Sequence, residues 1–370
     1  MNDIGPTSTH PNEETSPTLV RSFWGMTKSE LETQCWNLGV PRVHAATMMS
    51  RVYKDLANLH WQDATLPRIL RNFTQTNVSF ALPKVLKELQ SGYDQSVKFL
   101  LSMDDGAQIE CVLMPESKRI TLCVSSQYGC AQACVFCHTG RMGLRRHLSA
   151  GEIVAQVVIA NRWILDHPEW LKTLGLPPST LISNLVFMGM GEPLDNVDEV
   201  VSAIRILTEP HGMQMGKRRI SVSTAGHLEG LSKLIQELPQ VRLALSLHAV
   251  TDSERSKIMP INRRWPLANL LAALKDLTNR QKHGVMIQYT LIHGINDSED
   301  HAQKLGDLLE GIRTKINLIP LNKIGPSRFD APERDSIERF RNQLQQRGFR
   351  VLVRYSKGQD IAAACGQLVV

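Results

Sequence analysis

The chain has 370 residues, 42% hydrophobic and 21% charged, and this ordinary globular composition argues against full disorder, a collagen-like repeat or a coiled coil. Its 42 basic and 36 acidic side chains give a net charge of +6, which permits a nucleic-acid partner without establishing one. No apolar run approaches the roughly 18–20 residues of a membrane helix, and residues 1–17 lack the apolar stretch of a secretory signal. We therefore expect a cytoplasmic protein without a membrane partner, beginning with a disordered tail over residues 1–17.

The segment after this tail is predicted to be helical. Apolar residues recur at helical spacing from about residue 23 to residue 93, so residues 18–96 predict a small helical accessory domain with a possible RNA contact. An Asp-Asp-Gly turn then separates two strand candidates, residues 97–102 and 108–114. We expect a β-hairpin extension over residues 97–118.

Strand and helix patterns alternate from residue 120 onward. The strand candidates are residues 120–125, 185–188, 219–224, 241–247, 285–292, 315–321 and a final 350–355. The helix candidates are residues 150–166, 197–207, 228–237, 266–279, 298–312 and 332–347. Six β-α units predict an α/β fold with a parallel sheet, a partial (β/α)6 barrel over residues 119–355 whose site lies at the carboxyl ends of the strands. Residues 356–370 are expected to form a C-terminal loop.

Seven cysteines, an odd number, indicate metal or redox chemistry rather than a disulfide framework in a cytoplasmic chain. Cys130, Cys134 and Cys137 are separated by three and then two residues. A structural zinc takes four ligands, and a [4Fe-4S] cluster usually takes four cysteines, so three cysteines leave one iron open to chelate S-adenosylmethionine. Zinc with His138 as a fourth ligand is an alternative, as is the haem-attachment pattern C-x-x-C-H, although haem attachment requires export.

The cysteine spacing after the first strand of an α/β barrel resembles that of the radical S-adenosylmethionine superfamily. Further stretches narrow the resemblance. They are Thr-Leu-Cys-Val-Ser-Ser-Gln (121–127), Gly-Met-Gly-Glu-Pro (189–193), Ser-Thr-Ala-Gly (223–226), Ser-Leu-His-Ala (246–249), Pro-Ile-Asn (260–262), Asn-Leu-Ile-Pro-Leu-Asn (317–322) and Asp-Ile-Ala-Ala-Ala-Cys-Gly-Gln-Leu (360–368). In order and content, residues 105–370 resemble the RNA adenosine-carbon methyltransferases, the RlmN/Cfr family.

This resemblance implies a covalent mechanism, because the carbons 2 and 8 of adenine are too electron-poor for polar methyl transfer. Cys365 would take a methyl group from one S-adenosylmethionine, and a radical made from a second would activate that methyl for addition to the adenine carbon. Cys123 would then release the RNA by forming a transient disulfide with Cys365. Glu110 would act as the proton acceptor.

The resemblance also implies the cofactors and partners. Cys130, Cys134 and Cys137 would hold a [4Fe-4S] cluster, and two S-adenosylmethionine molecules would be used per turnover. The cofactor contacts would be Gly191, Glu192, Ser223, Ser246, Leu247, His248 and Asn322. The partners would be ribosomal or transfer RNA, or both, and an electron donor such as flavodoxin or ferredoxin, with the chain a monomer and carbon 2 favoured over carbon 8.

Two other functions remain open on the sequence alone. One is a radical S-adenosylmethionine enzyme for a small molecule or peptide, which would not need both Cys123 and Cys365. The other is a non-enzymatic RNA-binding protein with a structural zinc.

The alternation of residues along two strands bears on these cysteines. Cys123 shares a strand face with Thr121 and Ser125, which places it on a polar face. Cys111 alternates with apolar residues and is predicted to be core packing, so its neighbour Glu110 points the other way, where a solvated side chain is the default.

Overall fold

The computed structural model describes residues 21–56, 66–280, 284–323 and 329–370. The predicted tail over residues 1–17 therefore lies outside the described residues. None of the described helices is long and apolar enough to cross a membrane.

The described residues form fourteen strands, twelve α-helices and five short 3-10 helices. The strands are β1 (Arg21–Ser22), β2 (Val78–Ser79), β3 (Lys84–Gln90), β4 (Val97–Ser102), β5 (Gln108–Glu116), β6 (Arg119–Val124), β7 (Gln127–Cys130), β8 (Gly143–His147), β9 (Asn184–Phe187), β10 (Ile220–Thr224), β11 (Arg242–Ser246), β12 (Val285–Leu291), β13 (Thr314–Pro320) and β14 (Arg350–Val353). The helices are α1 (Lys28–Asn37), α2 (Val43–Lys54), α3 (Arg68–Asn77), α4 (His138–Arg141), α5 (Ala150–Asp166), α6 (Pro168–Thr173), α7 (Val197–Leu207), α8 (Leu228–Glu237), α9 (Asp252–Ile258), α10 (Leu267–Arg280), α11 (Glu299–Leu308) and α12 (Arg334–Gln346).

Ten of these strands form one sheet in the order β14-β13-β12-β11-β10-β9-β6-β5-β4-β3. Within this sheet, every pairing from β6 to β14 is parallel, whereas β7 and β8 pair antiparallel in a separate two-stranded sheet. The helices α5, α7, α8, α10 and α11 connect successive strands from β6 to β13, and α12 leads to β14. The predicted α/β fold with a partial barrel is therefore confirmed, with β14 added at its edge.

The predicted elements of the barrel are confirmed with small shifts at their ends. Three helices, α5, α7 and α8, have the predicted bounds. A capping box begins α5, since the Ser149 side chain accepts from the Glu152 N–H and the Glu152 side chain accepts from the Ser149 N–H. The residues of a capping box lie within one helical turn of each other, so this signal for the start of a helix can be read from the sequence.

One secondary-structure prediction is wrong. The helical pattern was expected to continue to residue 93, but residues Lys84–Gln90 form the strand β3. The segment Lys-Val-Leu-Lys-Glu-Leu-Gln has the composition of a helix. Its antiparallel pairing with β4 overrides that local preference, because tertiary pairing routinely outweighs intrinsic propensity.

The predicted hairpin is present as β4 and β5, and it continues the barrel sheet. β5 pairs antiparallel with β6, the first strand of the parallel part, so Cys123 on β6 lies opposite Val112 on β5. We call β3, β4 and β5 the antiparallel extension. The division of the chain into separate domains at residues 96, 118 and 355 stays a prediction.

The N-terminal segment is held together by an aromatic group and meets the barrel through a close backbone contact. Phe23 stacks on Phe80 with ring centroids 4.9 Å apart, and the Trp24 indole N–H donates to the Ala81 carbonyl at 3.1 Å. A side chain on Gly25 would approach the backbone nitrogen of Gly151 at 3.3 Å. The start of α5 therefore lies directly against the N-terminal segment.

Residues alternate between two environments along the barrel strands. On β12, Ile287, Tyr289 and Leu291 are fully buried, and Tyr289 packs against Phe340 of α12 with ring centroids 5.5 Å apart. The intervening Gln288 and Thr290 line a cleft inside the barrel. Because side chains alternate along a strand, the polar ones point into the barrel and the apolar ones pack against the helices outside it.

The packing of α12 on β12 yields a stability prediction. Phe340→Ala should lower the free energy of unfolding by about 3–5 kcal/mol, because a large buried ring leaves a cavity. The exposed Gln345 of the same helix supplies the control, and Gln345→Ala should stay within about 0.5 kcal/mol of the unmodified chain. Equilibrium denaturant unfolding measures both, and equal effects would contradict this packing.

Candidate active site

The three clustered cysteines lie at the last residue of β7 and on the loop that follows it. Cys130, Cys134 and Cys137 all line one cleft at the carboxyl ends of the barrel strands. The loop is held to α9 by the Val135 N–H, which donates to the Ile258 carbonyl at 3.1 Å. Cys134, Val135 and Phe136 pack on an apolar group that includes Met259 and Trp265, so the loop rests on a dry surface.

Burial is the main cause of the raised pKa values of these three thiols. It raises the pKa of Cys130 to about 12 and raises the pKa of Cys134 well above its ordinary value. It also raises the pKa of Cys137, and the charge of Cys137 raises the pKa of Cys134 further because the groups lie close together. Such thiols lose their protons when a metal takes them as thiolate ligands.

The three cysteines provide a donor set for an iron–sulfur cluster. No three His, Cys, Asp or Glu side chains in the described part of the chain are arranged to hold one metal ion. Thiolates of an iron–sulfur cube bind different irons, so they can share a cleft without meeting at one point. The donor set of three soft sulfurs fits a [4Fe-4S] cluster with one iron left without a protein ligand.

Glu192 brings a buried carboxylate into the same cleft. It follows Gly191, whose φ is +102° and whose position leaves no room for a side chain, since a Cβ there would lie 2.6 Å from the Gln127 Cβ. The Glu192 carboxylate accepts the Ala225 N–H at 2.8 Å and the Leu194 N–H at 3.1 Å. Burial nevertheless raises its pKa to about 7. A cationic ammonium group in the cleft would compensate this buried charge.

The Gln288 amide binds hydroxyls from two neighbouring strands, and the sequence did not point to it as a site residue. The Ser223 and Ser246 hydroxyls donate to Gln288 Oε1 at 3.0 and 3.2 Å. Gln288 and Thr290 also line the cleft. The signal that could have found them is their polarity at alternate positions of a strand whose other residues are apolar.

His248 presents one defined hydrogen-bond donor to the cleft. Its Nδ1 accepts the Thr290 N–H at 2.8 Å, so the ring hydrogen resides on Nε2. Burial lowers the pKa of His248 to about 3, which keeps the imidazole neutral. The adjacent Leu247 does not line the cleft, and instead donates its N–H to the Gln288 carbonyl at 3.0 Å. Leu247 therefore contributes its backbone to the site's scaffold.

A buried arginine missed by the sequence analysis joins the strand ends behind the cleft. The Arg255 guanidinium donates to the Ala225, Ser246 and Leu247 carbonyls at 2.6, 3.0 and 3.0 Å. It also donates to Asn262 Oδ1 at 3.0 Å, which gives the Pro-Ile-Asn motif a structural role. Burial lowers its pKa to about 10, so it stays cationic at neutral pH.

The two remaining cysteines of the predicted site share a second, smaller cavity. Cys365 lines both the cleft and this cavity, whereas Cys123 lines only the cavity, together with Arg354. Burial raises the pKa of Cys123 to about 12, the charge of Cys365 adds to the rise, and Arg354 opposes it. Cys111 lines neither and is fully buried, which confirms its predicted place in the core.

The structure places Asn322 beside Cys365. The Asn322 amide donates to the Cys365 carbonyl at 3.0 Å and to the Ser356 hydroxyl at 2.9 Å. Asn322 also lines the cleft, so it connects the cleft to the segment that carries Cys365.

Glu110 is buried, so the solvated default for this side chain is wrong. Its carboxylate pairs with Lys98 Nζ at 2.8 Å and accepts the Val369 N–H at 3.0 Å. It lines neither the cleft nor the second cavity in this arrangement.

Two arginines near the cleft loops, Arg146 and Arg264, form ion pairs within the fold. Arg146 pairs with both Asp105 and Glu152, at 2.6 and 2.7 Å. Arg264 pairs with Glu229 at 3.0 Å and lies over the Trp265 ring. These two arginines therefore have structural partners inside the chain.

The cleft is lined by the loop that carries the three cysteines and by the carboxyl ends of β9 to β13. A partial (β/α)6 barrel with three cysteines on the loop after its first strand, and an acidic turn after the second, defines a radical S-adenosylmethionine enzyme. The sequence profile of the Radical SAM superfamily matches residues 180–305, which supply most of the strand ends around the cleft.

Comparison with known proteins identifies the family. The chain is 39% identical to the dual-specificity RNA methyltransferase RlmN of Campylobacter lari, covering 94% of this chain and 97% of that protein. It is 40% identical to the protein of the same name from Syntrophobacter fumaroxidans, with 95% and 98% covered. The crystal structure of a radical SAM methyltransferase from Sphaerobacter thermophilus superposes with a TM-score of 0.85 at 40% identity, covering 94% and 99%. The chain belongs to the RlmN family of radical SAM methyltransferases.

The buried Glu192 carboxylate yields a prediction about cofactor binding. Because its pKa is raised to about 7, the charged fraction grows as pH rises from 6 to 8. The affinity for S-adenosylmethionine, which is a sulfonium cation, should rise over that range. Glu192→Gln keeps the shape without the charge, and should bind roughly tenfold or more weakly at pH 8 with little pH dependence. Titration calorimetry under anaerobic conditions measures both, and the same pH profile in the two proteins would contradict the assignment.

Proposed function

We propose that this enzyme adds a methyl group to an sp² carbon of an adenosine in ribosomal or transfer RNA, with carbon 2 favoured over carbon 8. The observation that supports this proposal is the position of Cys365, which lines both the cleft with the three clustered cysteines and the cavity with Cys123. A radical enzyme for a small molecule needs the cleft alone. A methyl carrier needs a sulfur that borders both compartments, with a second thiol next to it. The relatives' names, which describe RNA methyltransferases, agree with this proposal.

The proposed cofactors are a [4Fe-4S] cluster on Cys130, Cys134 and Cys137 and two S-adenosylmethionine molecules per turnover. When bound, the cluster supplies the electron that cleaves S-adenosylmethionine to an oxidant able to remove a hydrogen atom from a methyl group. Glu192 would bind the amino group of S-adenosylmethionine. Ser223, Ser246 and the Nε2–H of His248 would bind its other polar groups, and Asn322 would hold the Cys365 segment against it.

The two thiols outside the cluster would carry the covalent chemistry. The Cys365 thiol takes the methyl group with loss of its proton, and after activation its carbon bonds to the adenine ring. Cys123, as a thiolate, would then bond to Cys365 Sγ while the sulfur–carbon bond to RNA breaks, and the one electron left over would return to the oxidised cluster. The step leaves a disulfide that a thiol reductant must reopen. Glu110 would accept the proton that the covalent RNA adduct loses before its release.

The reaction also requires partners outside the chain. A one-electron donor such as flavodoxin or ferredoxin would reduce the cluster, and the target adenosine must leave its stack to reach the cavity. We propose that the chain works as a monomer and in the cytoplasm, where ribosomal and transfer RNA are present.

Mass spectrometry of nucleosides tests the substrate. RNA from cells that lack the gene should lose one methyladenosine, and the gene on a plasmid should restore it. Comparing the retention of 2-methyl and 8-methyl standards identifies the carbon, and separate digests of ribosomal and transfer RNA identify the substrate. Unchanged methyladenosine in both RNA pools would contradict the proposal.

The roles of the two thiols can be separated by single substitutions. Cys123→Ala should trap RNA covalently on Cys365, because the bond to the adenine carbon forms but its release is lost. Cys365→Ala should form no adduct, since there is no methyl carrier. Denaturing gel electrophoresis with labelled RNA reports both, with Cys111→Ala as a buried-cysteine control. Free RNA throughout the Cys123→Ala reaction would count against the assignment.

A further inference from the structure

Residues 358–369, which we call the strap, carry Cys365 across the antiparallel extension to the cluster loop. At its start, the Gly358 N–H donates to Asp94 Oδ2 at 2.8 Å. Beyond Cys365, the strap's Leu368 carbonyl accepts the Thr139 hydroxyl at 2.7 Å. The strap thus spans from the β3–β4 turn to the helix that follows the clustered cysteines.

A buried ion pair beneath the strap forms hydrogen bonds with the strap on both sides of Cys365. Lys98 lies on β4 and Glu110 on β5, and their side chains are only 9% and 7% exposed. Lys98 Nζ donates to Glu110 Oε1 at 2.8 Å and to the Ala362 carbonyl at 3.1 Å. Glu110 Oε2 accepts the Val369 N–H at 3.0 Å. The pair therefore holds one strap residue before Cys365 and one after it.

The pair and the strap stabilise each other. A buried charge that loses a partner is costly, because the remaining group keeps its desolvation penalty without its hydrogen bonds. The Ala362 carbonyl and the Val369 N–H supply one acceptor to Lys98 and one donor to Glu110. Lifting the strap would remove both at once, so the seated strap is the arrangement that satisfies the pair.

Seating the strap decides which groups face the cavities. With the strap in place, Cys365 borders the cleft and the cavity of Cys123, while Glu110 lines neither. We propose that Lys98 is a positioning residue for Cys365, seating the strap through its contacts with Glu110 and Ala362. In this arrangement it also holds the Glu110 carboxylate away from both cavities until the strap lifts. The role given to Cys365 rests on the proposed function, but the seating itself does not.

The test measures the strap in the full chain without RNA or cofactor. Lys98→Met removes the charge and both hydrogen bonds while keeping much of the side-chain stem. We expect amide exchange over residues 358–369 to accelerate about tenfold or more, and iodoacetamide to alkylate Cys365 correspondingly faster. Lys98→Arg keeps the charge and should restore most of the protection. The exposed Lys87 on β3 gives a matched control, since Lys87→Met removes one charge and should change neither rate.

Amide exchange in the barrel separates loosening of the strap from general unfolding. Strands β11 and β12 border the same cleft as Cys365, but the strap's hydrogen bonds described above go to other elements. Both strands should therefore keep their exchange rates in Lys98→Met. The inference is overturned if the strap exchanges no faster than in the unmodified chain, or if the barrel strands accelerate as much as the strap.

RNA methylation distinguishes this inference from the proposed function. Lys98→Met should also transfer methyl groups to RNA roughly tenfold more slowly. If the unmodified enzyme methylates no adenosine while strap exchange responds as expected, the proposed function fails and the seating holds. If the enzyme methylates RNA but amide exchange in the strap is unchanged by Lys98→Met, the proposed role of Lys98 is wrong and the proposed function stands.

Discussion

The guanidinium of Arg255 is the interaction on which the cleft depends. Parallel strands end with backbone carbonyls that no neighbouring strand can satisfy, and here those ends are buried. Arg255 meets the Ala225, Ser246 and Leu247 carbonyls and the Asn262 amide with one rigid, multiply donating group. Lysine has only three donors on a single atom and could not span them in this geometry. The positions of Ser223, Ser246 and His248, and hence the shape of the cleft, follow from this fixed framework.

A second constraint is the position of Cys365, which lies between the cleft and the smaller cavity. The cleft beside the clustered cysteines is lined by polar groups that have partners, and it keeps a neutral His248 and a buried Glu192. The smaller cavity holds Cys123 and Arg354. Cys365 belongs to both because its strap crosses from the antiparallel extension to the cluster loop. The extension therefore contributes directly to the site, as the surface that holds the segment carrying Cys365.

Much of the fold could be predicted because its signals are local. Capping residues and the helical period placed α5, α7 and α8 at their observed bounds. The strand β3 could not be predicted, because its residues favour a helix and only the neighbouring β4 makes them a strand. The antiparallel pairing of β5 with β6 was likewise missed, since the sequence of a hairpin does not say which sheet edge it joins.

The sequence by itself determined the residue types that the chemistry needs and their order: three closely spaced cysteines, a Gly-Glu turn, and two further cysteines far apart in the chain. Their spacing along the chain and their strand-end positions are local properties, which one chain suffices to read. The tertiary structure alone decided that Gln288 lines the cleft and Arg255 lies behind it, that Leu247 does not line it, and that Glu110 pairs with Lys98. Those outcomes depend on burial and on partners distant in sequence, and a buried polar group takes whichever partner the fold brings within reach.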